Sequence, residues 1–423
     1  MGYTKNIGNN LITQAVKIVF GVLSGILVAR ALGPSGQGYI TYILLIFTTL
    51  GAFGHFGIIN AAMYFQKRSA YPREILFSTN MNLLLLMSLG LGAFILLFKA
   101  SALGLADYSY LYIALGIILL ASTLINLHHQ SWLVGDEKII KNNRINLQVF
   151  LAKSLIILAA WATGLLNPLV FFLITTGSMV VWMAYLHISL HERWLRLISV
   201  PVLKAEFSYG SVGWLASLFA FLHYRADQVM IKQMLGLSEL GIYTVAVTIA
   251  ELLFLLPNAI NIALTGRLYN LASEADSKVL MSRTLKLTLY FSIALALIGL
   301  LGSLLIPLLY GSPYKGAVSV MMILLPGVVF ASLAKVAMPW FFTKGRPQVH
   351  FRITLFTLLL NVGLNYLFIP RWGIQGAAFA STISYFIYGT YYPIVLVWKE
   401  GFSLKSLFYP ESVDIKQLIG LVK

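Results

Sequence analysis

Residues 11–39 read LITQAVKIVFGVLSGILVARALGPSGQGY. Residues 11–32 are mostly apolar, and an α-helix of about 20 such residues crosses the hydrocarbon core of a bilayer. The run stops at Leu32-Gly33-Pro34-Ser35-Gly36-Gln37-Gly38-Tyr39, a cluster of turn-forming residues, and a second apolar run follows at once. A spanning helix, a tight turn and another spanning helix make a membrane hairpin.

The rest of the chain repeats this pattern. Further apolar runs cover 39–64, 75–98, 110–134, 145–163, 168–190, 207–235, 241–268, 285–310, 317–342, 351–369 and 374–398. The expected fold is therefore an all-α polytopic membrane protein with about 12 transmembrane helices. The connections are short, as at Gly135-Asp136-Glu137-Lys138 and Gly345-Arg346-Pro347, and leave no room for a folded domain outside the bilayer. Composition agrees. Of 423 residues 59% are hydrophobic and only 10% charged, against roughly 25% charged in soluble domains. Lys and Arg number 30 against 14 Asp and Glu, but they are spread between apolar runs, which argues against nucleic acid as a partner. With no Cys and 7 scattered His, no thiolate or His-Glu-x-x-His metal site is expected, nor any cofactor. Residues 1–10 are polar and the run after them is long enough to stay in the membrane, so no cleaved signal peptide is expected.

Lys and Arg mark the cytoplasmic side. One side of the twelve-span arrangement carries Arg30, Lys99, Lys232, Lys315 and Arg371; the other carries most of the rest, from Lys5, Lys67, Arg68 and Arg73 to Lys399, Lys405, Lys416 and Lys423. A missed span would invert this bias downstream. Both termini are expected in the cytoplasm.

The first turn has a counterpart, Leu235-Gly236-Leu237-Ser238-Glu239-Leu240-Gly241-Ile242-Tyr243. Gly33, Ser35 and Gly38 match Gly236, Ser238 and Gly241 at one constant offset of 203 positions. An ordinary helix–turn–helix met twice by chance is the alternative. Agreement with an even division of spans favours a parallel repeat, with lobes at 1–200 and 201–398, a cytoplasmic tail at 399–423, and a central cavity between lobes that alternates its access. Pro257-Asn258, Pro326-Gly327 and Pro339 fall within spans and are candidate soft points. Pro removes a backbone hydrogen bond that lipid cannot replace. Of these, Pro257-Asn258 is the candidate hinge.

A charge at the bilayer centre costs about 2.5–3.5 kcal/mol on insertion scales. The charges within spans are Lys17, Lys153, Arg225, Asp227, Glu251 and Lys335, joined by His55, His128, His129 and His223. Cations outnumber acids, so a cavity they share attracts anions. Arg225 and Asp227, two apart, cannot pair along a helix, whereas His223 and Asp227 share a face. Glu251 is the expected partner of Arg225, either as a static bridge or as a switch. Lys17, Lys153 and Lys335 can each snorkel to a headgroup layer, as can His128 and His129.

Three stretches in order resemble the polysaccharide (O-antigen and capsule repeat-unit, Wzx-like) flippases of the multidrug/oligosaccharidyl-lipid/polysaccharide exporter superfamily. They are residues 9–38, then Arg225-Ala226-Asp227-Gln228-Val229-Met230-Ile231 with Gly241-Ile242-Tyr243, Glu251 and Pro257, and finally Trp372-Gly373-Ile374-Gln375-Gly376-Ala377-Ala378. The resemblance implies a flippase carrying polyprenyl-diphosphate-linked oligosaccharide from the inner to the outer leaflet of a bacterial or archaeal cytoplasmic membrane. Surface polysaccharide polymerases or ligases are the implied partners. It also implies that Lys17 and Arg225 contact substrate, with Lys153 and Lys335 completing a cationic cavity, and Asp227 and Glu251 serving coupling. The alternatives are a drug exporter of the same superfamily, which should carry an acidic cavity, and a polyprenyl-dependent glycosyltransferase or ligase. The latter needs a sizeable outer loop with acids or a metal, whereas the outer connections here offer only Asp107 and Glu239. No catalysis is expected.

Overall fold

A computed structural model describes residues 2–68, 71–98, 103–271 and 273–409. Their helices run in the order α1 (Gly2–Phe53), α2 (Ile58–Arg68), α3 (Arg73–Phe98), α4 (Tyr110–Gly135), α5 (Ile139–Ala162), α6 (Pro168–Leu190), α7 (Val200–His223), α8 (Ala226–Leu235), α9 (Leu237–Ala250), α10 (Leu255–Asn270), α11 (Glu274–Ser303), α12 (Ile306–Tyr310), α13 (Gly316–Thr343), α14 (Pro347–Glu400) and α15 (Leu404–Phe408). Short 3₁₀ turns occupy Glu251–Phe254 and Ser312–Tyr314. Nine stretches among the described residues are long and apolar enough to cross a membrane. Two of them, α1 and α14, each hold two spans joined at one non-helical glycine, Gly33 or Gly373. The interrupted pair α7–α8 completes the twelve spans. The protein is an all-α, multi-pass membrane protein in two units, Met1–Leu218 and Phe219–Lys423, the division falling within α7. Lys99, Lys416, Lys423 and the side chains of Lys5, Lys67 and Arg68 lie outside the described residues.

The two matched turns share a backbone conformation. Gly33 has φ 65°, ψ 176° and Gly236 has φ 95°, ψ −175°, a region that is essentially closed to any residue with a Cβ. Both glycines reverse the chain at the same place in their hairpins, which supports the internal repeat.

Four spans expected to be continuous are broken: the second, the seventh, the eighth and, at Leu304-Leu305 between α11 and α12, the ninth. The second span, 39–64, is interrupted at 54–57. There Gly57 packs against α7 so closely that a Cβ on it would lie 2.5 Å from Gly210 C, while one on Gly210 would lie 2.2 Å from Gly57 O. His55 Nδ1 accepts from Gly57 N at 3.0 Å, and Trp214 Nε1 donates to Phe53 O at 2.8 Å. His55 is thus a local cap for the break. The seventh span, 207–235, is broken at Tyr224-Arg225, and the eighth, 241–268, at Glu251–Phe254. Pro257 sits in the first turn of α10, where its missing N–H is tolerated.

Pro326 and Pro339, by contrast, do not interrupt α13. Pro339 leaves Lys335 O without its helical donor, and Asn261 Nδ2 of α10 supplies one. Near Pro326, Thr382 Oγ1 donates to Ile323 O at 2.6 Å.

In each unit the even-numbered connections are laced together by charge. In the first unit Arg73 donates to Asp136 at 2.8 and 2.9 Å and to Glu192 at 2.9 Å, and lies 4.8 Å above the Trp132 ring. In the second, Glu400 accepts from Arg346, from Lys344 at 3.3 Å and from Trp340 Nε1 at 3.2 Å, while Lys344 also reaches Glu274 at 3.1 Å.

Candidate functional site

Two of the helix breaks bring together the charges of the second unit. Arg225 is the residue immediately before α8, with φ −131° and ψ −12°. Glu251 opens the 3₁₀ turn that follows α9. Their side chains meet in a bidentate pair, Nη1 to Oε1 at 2.7 Å and Nη2 to Oε2 at 2.8 Å. This is the planar fork-to-carboxylate geometry that fixes direction as well as charge. About a quarter of each side chain stays accessible, 26% and 24%, so the pair can exchange partners without opening a core.

Lys335 on α13 joins them. Its Nζ lies 4.5 Å from the Phe254 ring centroid and 5.0 Å from that of Tyr224, and it interacts electrostatically with both Glu251 and Arg225. Two cations and one acid leave the cluster net positive, on an aromatic floor. Tyr224 packs 5.2 Å from Tyr385 and 5.7 Å from Phe254, centroid to centroid.

Asp227 belongs to a different network. It is 2% exposed. Its Oδ1 accepts from Gln228 N at 2.7 Å, and its Oδ2 from Tyr243 Oη at 2.5 Å and Ser381 Oγ at 3.0 Å. Asn361 Nδ2 reaches Ser381 Oγ at 3.3 Å and Ser384 Oγ at 3.1 Å, and His223 Nε2 lies 3.1 Å from Ser384 Oγ. His223 and Asp227, expected to share one helix face, are instead on separate helices, because the break intervenes. Both still reach α14, one turn apart. Arg225 and Asp227 do look to different neighbours.

In the first unit Lys17 on α1 and Lys153 on α5 lie on adjoining helices. Lys17 Nζ is 5.9 Å from the Phe150 ring centroid and Lys153 Nζ 5.6 Å from that of Phe171. Each ammonium faces an aromatic ring within cation–π range. His128 and His129 do not snorkel; both are fully buried. Their Nδ1 atoms are 3.3 Å apart, and His129 Nε2 lies 3.2 Å from His187 Nδ1. The reason is Phe77 and Trp132, which wall them in with His128–Phe77 and Phe77–Trp132 centroids each 5.1 Å apart.

Sequence reasoning did not single out the aromatic floor. A signal was present: Tyr385, Tyr388 and Tyr392 recur at helical spacing on one face of α14. Tyr224 and Phe254 had none, since only the breaks bring them beside Lys335.

Comparison with known proteins agrees with this architecture. Residues 214–367, which include Arg225, Asp227, Glu251 and Lys335, match the family model described as MatE. The chain resembles the flippases of the multidrug/oligosaccharidyl-lipid/polysaccharide exporter superfamily. A Shigella flexneri protein described as "Putative O-antigen transporter" is 23% identical over 409 residues, 90% of this chain and 95% of that one. "Probable flippase AglR" of Haloferax volcanii is 30% identical over 185 residues, 42% of this chain and 39% of that one. Among solved structures, the lipid II flippase MurJ in an inward closed conformation superposes with a TM-score of 0.78 at 15% identity, over 97% of this chain and 91% of that one. An inward-facing multidrug-resistance MATE transporter superposes with a TM-score of 0.70 at 16% identity, over 91% and 94%. What this chain shares with these two structures is the fold.

Proposed function

We propose that the protein is a flippase that moves polyprenyl-diphosphate-linked oligosaccharide from the cytoplasmic to the outer leaflet, by alternating access, for surface polysaccharide synthesis. Its place is a cytoplasmic (inner) membrane with both termini in the cytoplasm. It performs no covalent chemistry. The polymerase or ligase that consumes its cargo is its natural partner.

The observation that carries this reading is the accessible Arg225–Glu251 fork with Lys335 beside it. A diphosphate offers pairs of oxygens that accept from the guanidinium fork as Glu251 does, with more charge, so it competes for the same guanidinium. Lys335 supplies further positive charge for the headgroup and Tyr224 offers a ring face to a sugar; in the first unit, Lys17 and Lys153 are the cations this reading assigns to substrate. Glu251 is the coupling acid because it is displaced when Arg225 takes substrate. Asp227, held by Tyr243 and Ser381, braces the end of α8 so that a change at Arg225 is passed to a rigid helix. Pro257 and Asn258, at the start of α10, form the hinge beyond the Glu251 turn. The description of the Shigella flexneri relative as an O-antigen transporter, and those of AglR and MurJ as flippases, support this reading. A drug exporter of this fold would take organic cations, which a net positive cluster repels.

Export of lipid-linked oligosaccharide, measured as accumulation on the inner leaflet in cells relying on each variant, tests the reading. Arg225→Ala loses a charge-assisted bidentate contact worth about 1.5–3 kcal/mol and lowers export by about ten- to a hundredfold. Arg225→Lys keeps charge without the fork and retains part of it. Normal export by a properly inserted Arg225→Ala removes the proposal.

A further inference from the structure

The second unit carries another concentration of cations that the transport site does not use. Lys278, Arg283 and Lys286 lie on α11, five and then three residues apart. At 3.6 residues per turn they fall within one arc of the helix, together with Ser282. These four, with Ser403 and Ser406, line a cavity of about 280 Å³.

The far wall is built by the end of α14. Gly401 adopts φ 70°, ψ 30° and turns the chain out of α14. Ser403 caps α15 by accepting from Ser406 N at 3.1 Å, and Tyr290 Oη of α11 donates to Phe408 O at 2.7 Å, which holds α15 in place. Lys278 stands at the rim, 5.8 Å from the Phe402 ring centroid and 3.6 Å from Glu274. Lys286 is about 12 Å further along the helix axis and only 3% exposed. The pocket thus offers cations from rim to floor, with three hydroxyls between. That combination suits a phosphate oxyanion, and basic pockets between membrane helices recur as lipid-headgroup sites.

The setting selects the source of the phosphate. The elements framing the pocket expose Tyr290 (40%), Trp398 (84%), Leu404 (62%) and Tyr409 (65%). Exposed Trp and Tyr mark the headgroup level of a bilayer, and a short helix that presents leucine outward lies in that interface. We propose that this pocket binds the phosphate headgroup of an anionic membrane phospholipid in the leaflet facing the even-numbered connections, where the lipid fastens α15 to α11.

Native mass spectrometry of the purified full chain, with phosphatidylglycerol or phosphatidylcholine added, tests this. The wild-type protein should retain phosphatidylglycerol at least about tenfold better, a difference of about 1.4 kcal/mol. Because Lys286 is buried and its replacement endangers folding, the test variants are Arg283→Gln and the double variant Lys278→Gln/Arg283→Gln. Both keep monodispersity in size-exclusion chromatography, and the preference shrinks in the single and vanishes in the double. Lys405→Gln, outside the pocket, keeps it. No preference in the wild type, or wild-type retention by the double variant, overturns the proposal. So does displacement of the phospholipid by millimolar inorganic phosphate, which would assign the pocket to a soluble anion.

Discussion

At the scale of single residues, the energetics turn on Arg225 and Glu251. Removing one partner of an intramembrane pair leaves an uncompensated charge, which costs far more than the pair contributes. A pair that is a quarter accessible softens that penalty, because water or substrate reaches the remaining charge. Glu251→Gln therefore distinguishes a switch from a staple. As a switch, the variant binds lipid-linked oligosaccharide as well as the wild type or better, reaches wild-type membrane abundance, and stalls in turnover. Binding, translocation and abundance of this one variant are the measurements. Reduced abundance with normal turnover per molecule would instead make the bridge structural. The pairing was legible in sequence because two unlike intramembrane charges on neighbouring spans have strong reason to meet. The face each presents was not legible. Arg225 is set by a break at Tyr224-Arg225 that no Gly or Pro announces.

Among the elements, the same bookkeeping of backbone groups explains where helices bend. Lipid offers no replacement hydrogen bonds, so side chains take over freed backbone groups: His55 and Trp214 at the break in the second span, and Asn261 opposite Pro339 in the unbroken α13. Proline positions alone therefore mislead. Pro339 was a candidate soft point and leaves α13 unbroken, whereas the eighth span gives way before Pro257 rather than at it. The connections obey ordinary electrostatics. Hydrogen bonds from Arg73, then from Lys138, hold the Asp136 carboxyl below the usual carboxylate range. A carboxyl lowered in the folded state stabilises the protein at pH values above its unfolded pKa of about 3.9. That contribution is lost as pH falls through the folded value. Asp136→Asn should lower the melting temperature of the detergent-solubilised protein at pH 7 by about 2–4 °C, the equivalent of about 1 kcal/mol for a unit of this size. The gap from wild type should close in acid below the ordinary carboxylate range. A gap that persists unchanged at the acid end would show that Asp136 acts through shape, not charge.

For the whole molecule, the alternation of spans is the claim with most at stake, since one span too many or too few exchanges the sides of everything downstream. The chain has no Cys, so single cysteines can be introduced without background. In intact cells Gly104→Cys and Ser312→Cys should react with an impermeant maleimide, and Ser273→Cys and Ser403→Cys should react only after permeabilisation. External labelling at Ser273 would undo the twelve-span topology, and the assignment of the phospholipid pocket to the inner leaflet with it.

Hydrophobic length, turn chemistry and the placement of Lys and Arg were sufficient, from sequence alone, for twelve spans, the division into two halves and the 203-residue repeat, whose paired Gly33 and Gly236 adopt the same glycine-only backbone. These properties are local or periodic. A bilayer acts on each segment by its length and charge whatever its neighbours do. Tertiary structure alone decided where four spans break, that Asp227 is tied to Tyr243 and Ser381 rather than to a charge, that His128 and His129 are buried, and that Tyr224 and Phe254 lie against Lys335. Each depends on a partner far away in sequence that satisfies a polar group or fills a space. Nothing local to 223–227 or 251–257 records that partner's position.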